Sequence, residues 1–442
     1  MATLITPFMY VLGVVLFVVG LAISIGLHEV GHMVPAKRFG VKVTQYFIGF
    51  GRTVWSKRKG ETEYGVKAIP LGGYVKLVGM LPPGPQEIGD DGLRVRKSNT
   101  GMFTQLISDA RAAEYELVEP GDEDRLFYRL PWWKKVIVMS GGPTVNLVLA
   151  FLLFGGVFML HGVAEPKTTV ADVSDCVIAA SEAEPDRTCT DADPGAPARQ
   201  AGLEPGDLIV AFNGTEVVSW EQFSTMIRAN EDGDATIVYE RDGERRTTTT
   251  STTVSPRRSL DGSDEFVEVG FLGVEPEFVL EKKGPGFVVI TMADYTWQTL
   301  EALAQMPIRL WHVGLAAVGL EDRADDSPMS VVGASRVAGE ISSDDGIPLG
   351  DRFIGLVMLL GGINLFVGLF NFIPLLPLDG GHIAGALYEA VRRGIARLFR
   401  RPDPGYFDVA KLLPVAYVMA GVILVMSVVL IYADIVAPVQ IG

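Results

Sequence analysis

The stretch 25–40, IGLHEVGHMVPAKRFG, sets two histidines and a glutamate in the pattern H-E-x-x-H. On an α-helix His28 and His32 stand four residues apart and share a face. Two imidazoles at that spacing can reach one Zn2+ ion, with Glu29 beside the position left open for water. A catalytic zinc site needs a third protein ligand as well. A carboxylate is available in the stretch 361–387, GGINLFVGLFNFIPLLPLDGGHIAGAL, at Asp379. Pro374 and Pro377 precede it and predict irregular backbone there. The same stretch carries two amides, Asn364 and Asn371, seven residues apart and so on nearly one helical face.

The element that must position the motif is unusual for a site that uses water. Residues 9–27, MYVLGVVLFVVGLAISIGL, carry no charge. Four segments, 8–33, 134–161, 352–373 and 413–436, are long and apolar enough to cross a hydrocarbon core of about 30 Å. The 48% hydrophobic content and a mean hydropathy of +0.28 agree with a membrane protein. The first segment lacks a basic leader and a small-residue cleavage site, and reads as a retained span. Histidines and carboxylates at membrane depth are costly and mark functional sites, which disfavours buried structural histidines.

Charge sets the expected orientation. Residues 163–350 carry 14 Lys and Arg against 34 Asp and Glu, whereas residues 381–412 carry 6 against 3. The basic flanks PAKRFG, PWWKK and VRRGIARLFRR add to the asymmetry. Basic loops stay in the cytoplasm, so both termini and the acidic 163–350 region are expected outside. His28, His32 and Asp379 then share the cytoplasmic end of the membrane. His161 and His312 fall toward the opposite side. The net charge of −15 gives no support to nucleic-acid binding.

Residues 41–80 alternate β-rich runs around KRKGE and predict a hairpin, with Gly49, Gly51, Gly72 and Gly73 marking bulges. Its edge could pair with an extended substrate. Residues 81–130 are polar and rich in Pro and Gly, and read as a cytoplasmic loop. Trp132 and Trp133 beside Lys134 and Lys135 look like an interfacial anchor, and Asn146 is a lone amide in an apolar run. Residues 295–320 have apolar positions at helical spacing and predict an amphipathic helix in the outer interface. Cys176 and Cys189 could close a disulfide in an oxidising compartment, or be two unrelated thiols.

Two resemblances narrow the reading. The passage DPGAPARQAGLEPGDLIVAFNGTEVVSW in residues 166–278 resembles bacterial PDZ domains, and GFLGVEP resembles the loop by which such domains hold a peptide carboxyl terminus. H-E-x-x-H in a first span, a PDZ domain outside and NFIPLLPLDG in a later span together resemble the bacterial site-2 protease family of intramembrane zinc metalloproteases. GFG at 49–51, EDRLFYRLPWWKKVIVMSGGPTVN at 123–146 and SPMSVVGASRVAG at 327–339 extend the likeness over nearly the whole chain. It departs at the second proline, one place late at Pro377, and at Phe366, where some relatives carry an asparagine.

The resemblance implies a polytopic α-helical membrane protein with four transmembrane helices, a membrane-associated β-hairpin on the cytoplasmic side and an extracytoplasmic PDZ-like α+β domain. It implies His28, His32 and Asp379 as zinc ligands and Glu29 as the base that takes a proton from water and passes it to the leaving amine. Asn371 and Asn364 would bond an oxyanion or the substrate backbone. Substrates would be single-span membrane proteins such as anti-sigma factors, cut within the bacterial cytoplasmic membrane. A zinc transporter would not need Glu29 at the open position. A membrane-anchored PDZ scaffold would leave the metal residues unexplained.

Overall fold

In a computed structural model of the 442-residue chain, residues 2–83, 88–89, 92–93, 102–116, 118–180, 187–190, 192–259, 266–324 and 326–439 are described. The chain divides into two compact units, one made of residues 1–157 and 285–442, the other of residues 158–284. Four helices among the described residues are long and apolar enough to cross a membrane: Thr6–Arg38, Trp132–His161, Leu349–Asn371 and Val409–Val436.

In the first unit α1 (Ala2–Arg38) leads into a long antiparallel hairpin of β1 (Val43–Lys59) and β2 (Thr62–Leu77). Its register shifts fall around Gly49, Gly51 and Gly72, which all take positive φ. Only glycine tolerates that backbone without strain. The hairpin lies along α1, where Tyr46 Oη donates to the Gly26 carbonyl at 2.9 Å. Residues 45–48 of β1 pair with 63–66 of β2 on one side and with 73–76 on the other, so among the described residues the outer edge of the 73–77 part of β2 has no strand partner.

The predicted loop 81–130 contains a helix, α2 (Met102–Tyr115), while residues 84–87, 90–91, 94–101 and 117 of it lie outside the described residues. Two carboxylates hold α2. Glu114 Oε1 accepts the Gly79 and Met80 N–H groups, and Arg111 bonds both oxygens of Asp408 at 2.8 and 2.7 Å. These partners come from distant segments, so local composition does not reveal the helix. α3 (Trp132–Gly156) follows, ending in a π-turn over Val157–His161.

The second unit is built on an antiparallel sheet. Its strands are β3 (Val163–Val173), β4 (Leu208–Phe212), β5 (Asp234–Arg241) and β6 (Glu244–Ser251), and a last strand (Val274–Glu281) pairs with β3 at one edge. A helix, α4 (Trp220–Ala229), is capped by Ser219, whose Oγ accepts the Gln222 N–H. Val170, Phe212, Phe223, Ile237 and Leu272 form the core. Fully buried Asp207 is held by Arg241 at 2.6 Å. Cys176 and Cys189 form a disulfide.

The chain re-enters the first unit with α5 (Pro285–Ala317), ten residues ahead of the predicted start at 295. Proline suits a first helical position, where its missing N–H costs nothing. α6 (Val331–Ser343) was not expected as an element; Ser330 Oγ caps it by accepting from Val332 and Gly333. α7 (Leu349–Asn371) is followed by turns, then α8 (Asp379–Leu398) and α9 (Leu413–Val436). Asp379 is therefore the first residue of a helix and does not lie on the expected irregular backbone, which stops at Leu378. A carboxylate suits that position because it faces the positive end of the helix dipole. Gly380 and Gly381 allow the tight return, since a Cβ on Gly380 would lie 2.1 Å from the Ile373 carbonyl oxygen.

Candidate metal centre

α1 brings His28 and His32 together with their Nε2 atoms 3.2 Å apart. The first turn of α8 adds Asp379, whose Oδ2 lies 3.4 Å from His28 Nε2 and 3.3 Å from His32 Nε2. The three ligand atoms all fall within 4.8 Å of one another.

The second nitrogen of each ring is already committed. His32 Nδ1 lies 2.8 Å from the Val138 carbonyl, and His28 Nδ1 lies 2.9 Å from Asn146 Oδ1. Carbonyl oxygens only accept, so both Nδ1 atoms carry the proton and donate. In the neutral imidazole that tautomer leaves a lone pair on each Nε2. Two lone pairs and a carboxylate oxygen crowded together repel each other unless a cation lies between them. The donor set therefore fits zinc.

α3 forms the wall behind this cluster. A Cβ on Gly142 would lie 2.3 Å from His32 Nε2 and 2.6 Å from His28 Nε2, in the space between the rings. One on Gly141 would lie 1.9 Å from the Gly31 carbonyl oxygen. Small residues let the two helix backbones meet here, as at many helix contacts in membranes. Glu29 is not in the ligand set. It faces β2, where a Cβ on Gly73 would lie 3.2 Å from Glu29 Cγ.

The two predicted amides lie elsewhere. Asn364 is buried and gives its Nδ2 to Ser24 Oγ at 3.0 Å and to the Leu360 carbonyl at 2.8 Å. It thereby ties α7 to α1 one turn before His28. Asn371 Nδ2 donates to the Val367 carbonyl of its own helix at 3.0 Å. His312 is on α5, paired with Glu321 at 2.8 Å.

Three contributors were not assigned to the site from sequence: Val138 through its carbonyl, Gly142 through its absent side chain, and Asn146 as a histidine partner. Asn146 was legible only as a polar side chain in an apolar run. GGPTVN, 109 to 118 residues from the histidines, does not by itself say which helix it faces.

The family model described as Peptidase family M50 matches residues 16–400. The chain is 32% identical over 444 residues to zinc metalloprotease Rip1 of Mycobacterium tuberculosis H37Rv, covering 98% of this chain and 99% of that one. It is 25% identical over 399 residues to metalloprotease MmpA of Caulobacter vibrioides, covering 87% and 88% of the two chains. The chain therefore belongs to peptidase family M50, the site-2 protease family of zinc metalloproteases.

Proposed function

We propose that His28, His32 and Asp379 hold the zinc and that Glu29 is the general base of peptide-bond hydrolysis in or beside the membrane. The observation that carries this reading is the convergence of the His28 and His32 Nε2 atoms on the Asp379 carboxylate, with both Nδ1 atoms held from behind by carbonyl oxygens. Bound zinc is a Lewis acid that activates water and polarises the scissile carbonyl. Glu29 receives the proton of the attacking water and returns it to the leaving amine. An amide nitrogen has two N–H groups. Those of Asn364 are both committed, whereas Asn371 keeps one for an oxyanion or a substrate carbonyl.

Substrates are single-span membrane proteins such as anti-sigma factors, a reading that rests on the family likeness. A helical substrate must unwind before its peptide bonds are reachable. The open outer edge of β2 at 73–77, with Gly73 beside Glu29, can hold the unwound strand. The residue 158–284 unit is read as a PDZ-like domain on the extracytoplasmic side, with both termini on that side, by the motif at 193–214 and the charge asymmetry of the loops. A groove there would take a newly exposed carboxyl terminus.

The test is Glu29→Gln in the full chain with a single-span substrate. The variant keeps its zinc and loses cleavage. Retained cleavage would reject the mechanism. Zinc flux into vesicles without cleavage would favour a transporter, and peptide binding by the 158–284 unit with neither activity would favour a scaffold.

A further inference from the structure

We infer that Lys135 and Glu389 are positioning residues, whose buried ion pair sets Asp379 against the two histidines by locking α8 to α3. The inference rests on the ligand assignment proposed above. Lys135 Nζ lies 2.7 Å from Glu389 Oε2, with the two side chains 8% and 1% exposed. The same oxygen accepts the Phe407 N–H at 3.1 Å, and Arg393 Nη1 lies 3.4 Å from Oε1. The Tyr406 ring takes Lys135 at 5.0 Å and Arg393 at 4.9 Å from its centroid. Desolvating both charges offsets most of their attraction, so such a pair is weak evidence for stability. Its best-attested use is to fix register.

Register matters here. Lys135, Gly142 and Asn146 are seven and eleven residues apart on α3, close to two and three helical turns, and so share one face. That face supplies the wall between the rings and the partner of His28, and Val138, three residues after Lys135, supplies the partner of His32. On α8, Asp379 and Glu389 are ten residues apart, about 15 Å along the axis. Each helix thus contributes one part of the metal centre and one half of the ion pair. Two separated attachments, the ion pair directly and Asp379 through the α1 histidines that α3 orients, fix both the rotation and the translation of α8 relative to α3. A shift of one residue would withdraw Glu389 from Lys135 and Asp379 from the Nε2 atoms together.

The experiment uses the full chain in nanodiscs, with zinc affinity from chelator competition, the visible spectrum of the Co2+-substituted protein, and the thermal midpoint of the metal-free form. Glu389→Gln keeps the shape and removes the charge. Lys135→Met with Glu389→Leu removes both charges. Asp434→Asn is the control, since it breaks an equally buried pair, Arg323–Asp434 at 2.7 Å and 3% and 2% exposed, whose acidic member is on α9. Glu389→Gln should weaken zinc binding at least about tenfold, the scale of an orienting interaction, and change the Co2+ spectrum. Asp434→Asn should lower the thermal midpoint and leave zinc affinity and spectrum as in the parent. The inference is overturned if Glu389→Gln keeps the parental affinity and spectrum, or if both variants lose affinity equally. Should Glu389→Gln fail to fold, the paired variant is judged by the same criteria. A parent chain that binds no zinc would instead overturn the ligand assignment.

Discussion

Replacing Gly142 by alanine perturbs the proposed metal centre while leaving every proposed ligand residue unchanged. The new Cβ would lie 2.3 Å from His32 Nε2 and 2.6 Å from His28 Nε2. Non-bonded heavy atoms rest at about 3.5 Å, so something must give by about 1.2 Å. If α3 retreats, the bonds that orient the rings, now 2.8 Å at Val138 and 2.9 Å at Asn146, stretch beyond hydrogen-bond range. If the rings turn instead, their Nε2 atoms leave Asp379. Either adjustment far exceeds the roughly 0.2 Å that a metal site tolerates. Overpacking should cost about 1–3 kcal/mol of stability. Zinc affinity should fall by about a hundredfold or more, since each lost orienting bond is worth about 10- to 100-fold. Chelator competition on the purified full chain measures it. Gly362→Ala is the control, because a Cβ there meets nothing within 4 Å. A Gly142→Ala protein that holds one zinc with parental affinity would refute the geometry of the α1–α3 contact.

Two further outcomes follow from partners described above. Asn146→Leu leaves the His28 Nδ1–H facing an apolar side chain and should weaken zinc binding about 10- to 100-fold, whereas Asn146→Asp keeps an acceptor and should bind zinc more tightly than the leucine variant; equal affinities for the two would remove Asn146 from the site. Below β1, Lys42 lies 2.6 Å from Asp122 and 2.8 Å from Glu119. The Lys42 bond holds the Asp122 carboxyl below its usual range, and the Asp122 and Glu119 bonds raise the Lys42 ammonium. The Asp122 contribution is then full above the unfolded carboxylate value of about 3.9 and is lost as pH falls through the lower folded value; that of Lys42 is full below about 10.4 and is lost as pH rises through its raised value. Asp122→Asn should cost about 2 kcal/mol near neutrality and flatten the acid loss, read by hydrogen exchange in β1. An unchanged acid limb would show that other carboxylates govern it.

The spans were legible because each is a single apolar run whose length answers to a membrane and needs no knowledge of its neighbours. The hairpin was legible for a similar reason: KRKGE is a local turn, and its glycines mark the bulges. Elements fixed by distant partners were not. α2 depends on Asp408 and on the Gly79 and Met80 N–H groups, none of which is near it in sequence. The start of α5 was displaced because a KKGPGF sequence reads as a turn until Pro285 is seen to occupy the first helical position.

The same division runs through the metal centre. His28 and His32 are one helical turn apart, so spacing alone puts them on one side of α1, with Glu29 turned about 100° from them. Asp379 was reachable by orientation, because the charge of the loops predicts that the first and third spans end at the same membrane face. The orienting groups depend on which face of α3 meets α1, and that is decided where the Gly31 and Gly141 backbones touch. A Cβ on either would lie within 2.4 Å of a carbonyl oxygen of the other helix. This contact joins residues 110 apart, and no local pattern on either helix specifies it. Once made, it leaves little freedom: the Val138 carbonyl, the Gly142 backbone and the Asn146 amide come from consecutive turns of α3. The two histidines are therefore written as a short motif. The tautomers that would let them bind metal follow from the packing of two helices.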